Sequence, residues 1–145
     1  RLCRLCGTPL GDDMSAFPSA SSLAPLCEAD LAPVRMGFRA KYVLDAARRV
    51  ASGDIDLGAL HRLPLEEARE TLRRIHGVGP KVADCALLYG FGRVECYPRD
   101  VWIKRADSLF PGGFPPEFAD VAGLAQQYLF HYCRTCPGAF SPDMR

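Results

Sequence analysis

Residues 72–106 read L-R-R-I-H-G-V-G-P-K-V-A-D-C-A-L-L-Y-G-F-G-R-V-E-C-Y-P-R-D-V-W-I-K-R-A, and the fold is decided here. Two helical patterns flank Gly77-Val78-Gly79-Pro80. Ala68, Leu72 and Ile75 recur at i, i+4 and i+7 before it, and Val82, Ala86 and Tyr89 repeat that spacing after it, which predicts two helices. Gly77 stops the first, because glycine accepts the left-handed conformation a helix end often needs. Pro80 suits the first turn of the second, where a missing N–H costs nothing. Two glycines beside a helix start leave the N–H groups of Gly77, Val78 and Gly79 bare, forming a main-chain anion site aided by the helix dipole.

Lys81 follows in the first helical turn, where the dipole disfavours positive charge. Partial burial pushes the same way, toward the neutral amine. A neutral amine is a nucleophile whose usual covalent product is a Schiff base. A purely electrostatic phosphate contact is the other reading of this lysine. Asp100 stands nineteen residues on, after Pro98-Arg99 and before a helix expected over Val101–Leu109. It is either that helix's cap or a catalytic carboxylate facing Lys81.

G-V-G-P-K-V-A-D-C at 77–85 with Y-P-R-D-V-W at 97–102 resembles the helix-hairpin-helix DNA glycosylase superfamily. The lysine after the hairpin is similar to that of the bifunctional members, which cleave both base and strand. K-V-A-D-C and A-G-L-A-Q-Q-Y-L-F at 122–130 resemble the 8-oxoguanine DNA glycosylase branch, and the likeness runs through nearly the whole chain. The resemblance implies an all-α glycosylase domain with a helix-hairpin-helix motif over residues 1–137, followed by a tail at 138–145. It implies base-excision repair on double-stranded DNA containing 8-oxoguanine, with abasic-site lyase activity by β-elimination and no cofactor or metal. The expected setting is intracellular (bacterial cytoplasm and nucleoid, or a eukaryotic nucleus), with no membrane partner and a monomeric protein.

By that likeness Lys81 attacks C1′ and expels the base, and Asp100 stabilises the cationic sugar and assists lysine deprotonation. Cys85, at i+4 from Lys81, and Phe130 sandwich the oxidised purine, while Gln126 hydrogen-bonds its Watson–Crick edge. Gly77, Val78 and Gly79 hold phosphate; Phe38 wedges into the duplex and Arg39 contacts the base left unpaired. Each also has a plain structural reading: Cys85, Phe130 and Phe38 as core, Gln126 as a surface amide. The chain departs from the family at His76, where proline is usual, and at Trp102, where relatives often carry histidine, so the grip on the extruded nucleotide's phosphates stays open. Members of this branch carry a β-rich domain ahead of this region; nothing here resembles it, so a fragment or an N-terminally shortened member is expected. A glycosylase for oxidised pyrimidines would share hairpin, lysine and aspartate, but the iron–sulfur cysteine pattern of its relatives is missing and the Gln126/Phe130 pair argues against it. A DNA-binding module without catalysis is the alternative from another class.

The bulk properties are those of one globular domain: 145 residues, 48% hydrophobic and 24% charged. A net charge of only +1 requires any nucleic-acid footprint to be local, and Arg73, Arg74, Lys81, Arg93, Arg99, Lys104 and Arg105 cluster around the hairpin. No apolar run approaches the roughly 20 residues of a membrane span. The seven cysteines are read as reduced thiols. Cys3/Cys6 and Cys133/Cys136 form two C-x-x-C pairs, which read either as four thiolates for zinc or as small apolar residues of helices.

Elsewhere, Leu2, Leu5 and Leu10 fit one helix ended by Gly11-Asp12-Asp13, and Ser19 caps a short helix reaching Ala24. Pro25 and Pro33 bracket another piece. Phe38–Ala51 is an amphipathic helix with Val43, Leu44, Ala47 and Val50 inward, ended by Gly53. Asp54–Leu63 is a turn with a short helix, and Glu66–Ile75 is the first arm of the hairpin. Gly90-Phe91-Gly92 breaks the second arm, and residues 93–96 form an extended connector. A loop at 110–116 precedes a last helix over Glu117–Arg134, with Phe118, Val121, Ala122, Ala125 and Leu129 as its core stripe. The tail from Pro137 is expected to fray.

Overall fold

A computed structural model of the chain describes residues 1–107, 110 and 112–136. The backbone forms two compact units, Arg1–Val78 and Gly79–Arg145, joined in the glycine-rich loop. Among the described residues no helix is long and apolar enough to cross a membrane.

The first unit begins with helix α1 (Leu2–Cys6) and a small antiparallel hairpin of β1 (Pro9–Gly11) and β2 (Met14–Ser15). Leu10 therefore belongs to a strand, not to the helix expected to end at Gly11. Gly11, Asp12 and Asp13 all have positive φ, the backbone of a tight two-residue reversal, so the stretch read as a helix breaker is a hairpin turn. Helix α2 (Ala20–Leu23) is capped as expected: the Ser19 hydroxyl accepts from the Ser22 N–H at 3.1 Å.

A 3₁₀ turn at Gly37–Arg39 leads into α3 (Ala40–Ala51), so the long helix starts two residues later than its pattern suggests. Leu44 and Ala47 are buried as predicted and join Leu2, Leu23, Leu31 and Ala40 in one core, with Val43 at its margin. Arg48 fastens α2 to α3, donating to the carbonyls of Ala24 at 3.1 Å and Leu26 at 2.7 Å. Helix α4 (Leu65–Arg73) then buries Ala68 and Leu72, with Ile75 just beyond its end, the phase its spacing implies.

The second unit opens with α5 (Pro80–Phe91), continues through α6 (Val101–Ala106) and ends with α7 (Ala122–Thr135). Pro80 does sit in the first turn of α5. The apolar phase of α5 differs from the predicted one: Ala83, Leu87 and Leu88 are buried, whereas Val82 and Tyr89 are largely exposed. Asp84 is buried among them. Gly90 and Phe91 lie inside α5, which ends only at Gly92 in the left-handed conformation. Residues 93–96 form a turn rather than an extended connector, closed by the Cys96 N–H on the Arg93 carbonyl at 3.0 Å.

The last helix is split: a 3₁₀ segment at Pro116–Val121 precedes α7. The stripe expected there is also rotated. Ala122 is buried as expected, but Phe118 and Val121 are exposed and Ala125 and Leu129 half-buried, while Gly123, Gln126 and Cys133 face inward. Cys133 thus packs as a buried apolar residue, and Cys136 is exposed. Residues 108 and 109 at the end of the helix expected after Asp100, Pro111 in the following loop, and the tail from Pro137 lie outside the described residues.

Gly123 sets how closely α7 approaches the 93–96 turn. Its N–H donates to the Val94 carbonyl at 2.7 Å. A Cβ there would lie 2.5 Å from the Cys96 carbonyl oxygen and 2.6 Å from Leu88 Cδ1. Backbone cannot yield as a side chain can, so Gly123→Ala is expected to lose about 2–3 kcal/mol in urea unfolding. An unchanged unfolding midpoint would contradict this packing.

Candidate active site

Three pieces of the second unit enclose a cleft of about 120 Å³, lined by Lys81, Cys85 and Tyr89 of α5, Pro98 and Asp100 ahead of α6, and Gln126, Gln127 and Phe130 of α7. Lys81, Cys85 and Tyr89 are spaced by four, so one face of α5 presents an amine, a thiol and a phenol in a row. Lys81 is exposed rather than partly buried, and Cys85 is half-buried. Asp100 caps α6: one carboxylate oxygen accepts from the N–H groups of Trp102 at 3.0 Å and Ile103 at 2.9 Å. The two readings of Asp100 are therefore compatible, since one residue both caps α6 and borders the cleft that holds Lys81. Among the described residues the two groups make no ion pair, and both capping bonds fall on the same carboxylate oxygen.

Gln126 reverses the usual polar-out pattern. It is only 4% exposed, and its amide donates to the Pro98 carbonyl at 3.1 Å while accepting from the Gln127 amide. Burial of an amide is tolerable because both of its ends are hydrogen-bonded. Phe130 is half-buried at the cleft wall with the Arg134 guanidinium 5.6 Å from its ring. Thus Lys81, Asp100, Cys85, Gln126 and Phe130, chosen from sequence, all border one cleft. Tyr89, Pro98 and Gln127 were missed. Continuing the spacing from Lys81 and Cys85 by four more residues would have found Tyr89; a main-chain acceptor such as the Pro98 carbonyl leaves no side-chain signal.

The glycine loop is partly as expected. Gly77 has φ +84°, and a Cβ there would lie 2.6 Å from the Tyr42 ring, so the first unit demands glycine at this point. The His76 N–H donates to Asp45 at 2.8 Å, and its ring meets Tyr42 edge-on with centroids 4.9 Å apart. That N–H bond, with the Arg49 guanidinium in support, holds the Asp45 carboxyl below its usual range against the opposing effect of burial. Val78 is a correction: its N–H donates to the Ile75 carbonyl at 3.0 Å and is not bare. Among the described residues the N–H groups of Gly77 and Gly79 have no partner. In the first unit Phe38 is 60% exposed, which excludes the core reading, and the Arg39 guanidinium lies 4.6 Å from its ring centroid. The basic cluster is largely neutralised: Arg73 pairs with Glu70, Arg74 with Asp54, Arg93 with Glu95 and Arg99 with Asp107.

A solved structure of MBOgg1 in complex with a low-affinity DNA ligand matches 94% of the chain with a TM-score of 0.83 and 39% identity, over 52% of its own length. The Clostridium acetobutylicum 8-oxoguanine glycosylase/lyase, solved with double-stranded DNA containing cytosine opposite 8-oxoG, matches 94% with a TM-score of 0.81 and 31% identity, again over 52% of its length. The chain belongs to the helix-hairpin-helix DNA glycosylase superfamily, in its 8-oxoguanine glycosylase branch. A curated relative of this branch, named "Probable N-glycosylase/DNA lyase", from Methanothermobacter thermautotrophicus, is 38% identical over 116 residues, 72% of this chain and 37% of the relative. The chain therefore spans about half the length of these solved glycosylases and less of the curated one. No protein-family model matches it. The fold class is the branch's, all-α with a helix-hairpin-helix motif, and the small hairpin β1–β2 is an addition to the helices.

Two outcomes follow from the cleft's edge. Asp100→Ala is expected to lose about 1 kcal/mol in urea unfolding through the lost cap, whereas Asp100→Asn keeps most of it; equal losses would contradict the cap. Beside Pro98, the Tyr97 hydroxyl is buried with no hydrogen-bond partner among the described residues. Burial first, then the negative Asp107 nearby, push the phenol up to about 12, with Arg99 opposing. The folded phenol resists ionisation that the unfolded one undergoes near pH ~10. Its contribution to stability is thus complete below that pH and lost as pH rises toward about 12. Tyr97→Phe is expected to flatten the fall in urea midpoint across that window, and an unchanged pH profile would contradict the assignment.

Proposed function

We propose that the chain carries the catalytic cleft of a bifunctional glycosylase that removes 8-oxoguanine from duplex DNA and then cleaves the abasic strand. The observation that carries this reading is the single cleft bordered by an amine, a carboxylate, a thiol, an aromatic ring and an oriented amide. The solved relatives named above, one of them bound to 8-oxoG-containing DNA, support the same substrate class.

In this reading the Lys81 amine attacks C1′ of the damaged nucleotide. The C1′–N9 bond breaks and the base leaves with its electron pair and a proton. The sugar ring then opens to a protonated Schiff base on Lys81, which acts as an electron sink. Loss of a C2′ proton and departure of the 3′ phosphate complete β-elimination. Asp100 faces the positive charge that develops on the sugar, and a carboxylate already fixed in place stabilises that charge without reorganising. Its cap bonds hold it in place. Cys85 and Phe130 flank the base, and Gln126 reads its edge with one donor and one acceptor. A volume of about 120 Å³, far below the roughly 300–1,000 Å³ of drug-sized sites, suits a single base more than a whole nucleotide.

Gly77 and Gly79 offer N–H groups for phosphate without reading sequence. Val78 contributes through the shape of the loop, its own N–H being engaged. In this reading Phe38, an exposed aromatic beside Arg39, is the wedge that unstacks the duplex, and Arg39 contacts the unpaired base. The protein acts inside the cell on double-stranded DNA, as a monomer.

Borohydride reduction on duplex carrying 8-oxoguanine opposite cytosine is expected to trap a covalent protein–DNA adduct. Lys81→Ala should abolish it while leaving duplex binding within about threefold, since one surface charge contributes little to affinity. Trapping that survives Lys81→Ala would assign the nucleophile elsewhere.

A further inference from the structure

We propose that Gln127 is a positioning residue that, together with the Pro98 carbonyl, locks the Gln126 amide in the one orientation able to tell a guanine-type base edge from an adenine-type edge; this rests on the base-excision reading above.

The two ends of a glutamine amide have nearly the same shape and differ in which carries hydrogen, so orientation follows from the partners. The Pro98 carbonyl only accepts. The Gln126 atom 3.1 Å from it must therefore be the NH₂ nitrogen. That turns the Gln126 oxygen toward Gln127, whose own NH₂ must then point at it. The result is a directed chain, Gln127 to Gln126 to Pro98, in which each member donates to the next. Turning Gln126 over would set oxygen against the Pro98 oxygen and NH₂ against the Gln127 NH₂. Gln126 is buried, so water does not repair those contacts.

A locked Gln126 keeps one hydrogen and one oxygen lone pair, in a fixed order along the cleft wall. A purine with a 6-oxo group and N1–H presents an acceptor beside a donor. A 6-amino purine presents them in the reverse order. A freely turning amide satisfies either edge; a locked one satisfies one and clashes with the other. 8-Oxoguanine is of the first kind and 8-oxoadenine of the second. Gln127 borders the cleft, yet its role is exerted through Gln126.

The test is single-turnover excision from duplexes carrying 8-oxoguanine or 8-oxoadenine, with the wild type, Gln127→Ala and Gln127→Glu, and with Gln126→Ala alone and combined with Gln127→Ala. Preference for 8-oxoguanine is expected to fall about tenfold in Gln127→Ala, as one buried hydrogen bond is lost. It should fall further in Gln127→Glu, whose carboxylate has no hydrogen to donate. Once Gln126 is alanine, Gln127→Ala should change the preference no further. Borohydride trapping on an abasic duplex, which holds no base to read, should proceed at the wild-type rate in both Gln127 variants. Unchanged preference in Gln127→Ala, or the same fall without Gln126, overturns the lock. A wild type that leaves 8-oxoguanine in place overturns the base-excision reading instead. The lock is then read alone from the Gln126 side-chain amide NMR signals, which should move in Gln127→Ala; signals that stay in place overturn it.

Discussion

The connector between α5 and α6 holds α7 through two main-chain carbonyls, and the cleft depends on that grip. The Val94 carbonyl takes the Gly123 N–H, and the Pro98 carbonyl takes the Gln126 amide. The two bonds lie about one helical turn apart on α7, so they set both the height and the rotation of that helix. Rotation is the consequential part. It turns Gln126 inward and leaves Leu124, Tyr128 and Tyr132 outward, against what hydrophobicity alone would favour. A buried amide in that position is stable only while both of its ends are satisfied, and the connector and Gln127 do this.

Asp100 shows the same economy of parts. Its cap bonds anchor the start of a helix of only six residues and fix a carboxylate at the cleft's edge. In the proposed mechanism this is the group that stabilises charge on the sugar, and the cap bonds hold it before substrate arrives, which is the condition for electrostatic catalysis. In the first unit the same logic holds the glycine loop. Asp45 draws in the His76 N–H and Tyr42 packs beneath Gly77, so the loop's shape is enforced by α3.

Much of this was legible in the residues, and the failures share a cause. The glycines and proline of the loop and the cap at Asp100 follow from backbone preferences that act locally, and the phase of α4 follows from the spacing of its apolar residues. The cleft residues from Lys81 to Phe130 were picked out by resemblance, and the structure then gathers them around one cavity. The phases of α5 and α7 were misread because apolar residues there do not mark the buried face. Val82 and Tyr89 are exposed, whereas the small and polar residues Ala83, Asp84, Gly123 and Gln126 are inside. Such a face is chosen by close backbone approach and hydrogen bonding, which periodicity does not register. The β1–β2 hairpin escaped for a related reason: three- and two-residue strands are too short for alternation to show. The bare N–H expected at Val78 fails because a single turn bond to Ile75 claims it.

Peptide mapping of the borohydride-reduced adduct by mass spectrometry tests the central claim most directly. One modified peptide is expected, carrying the reduced sugar remnant on Lys81. A remnant on any other residue, or a strand cut with no adduct, would contradict it.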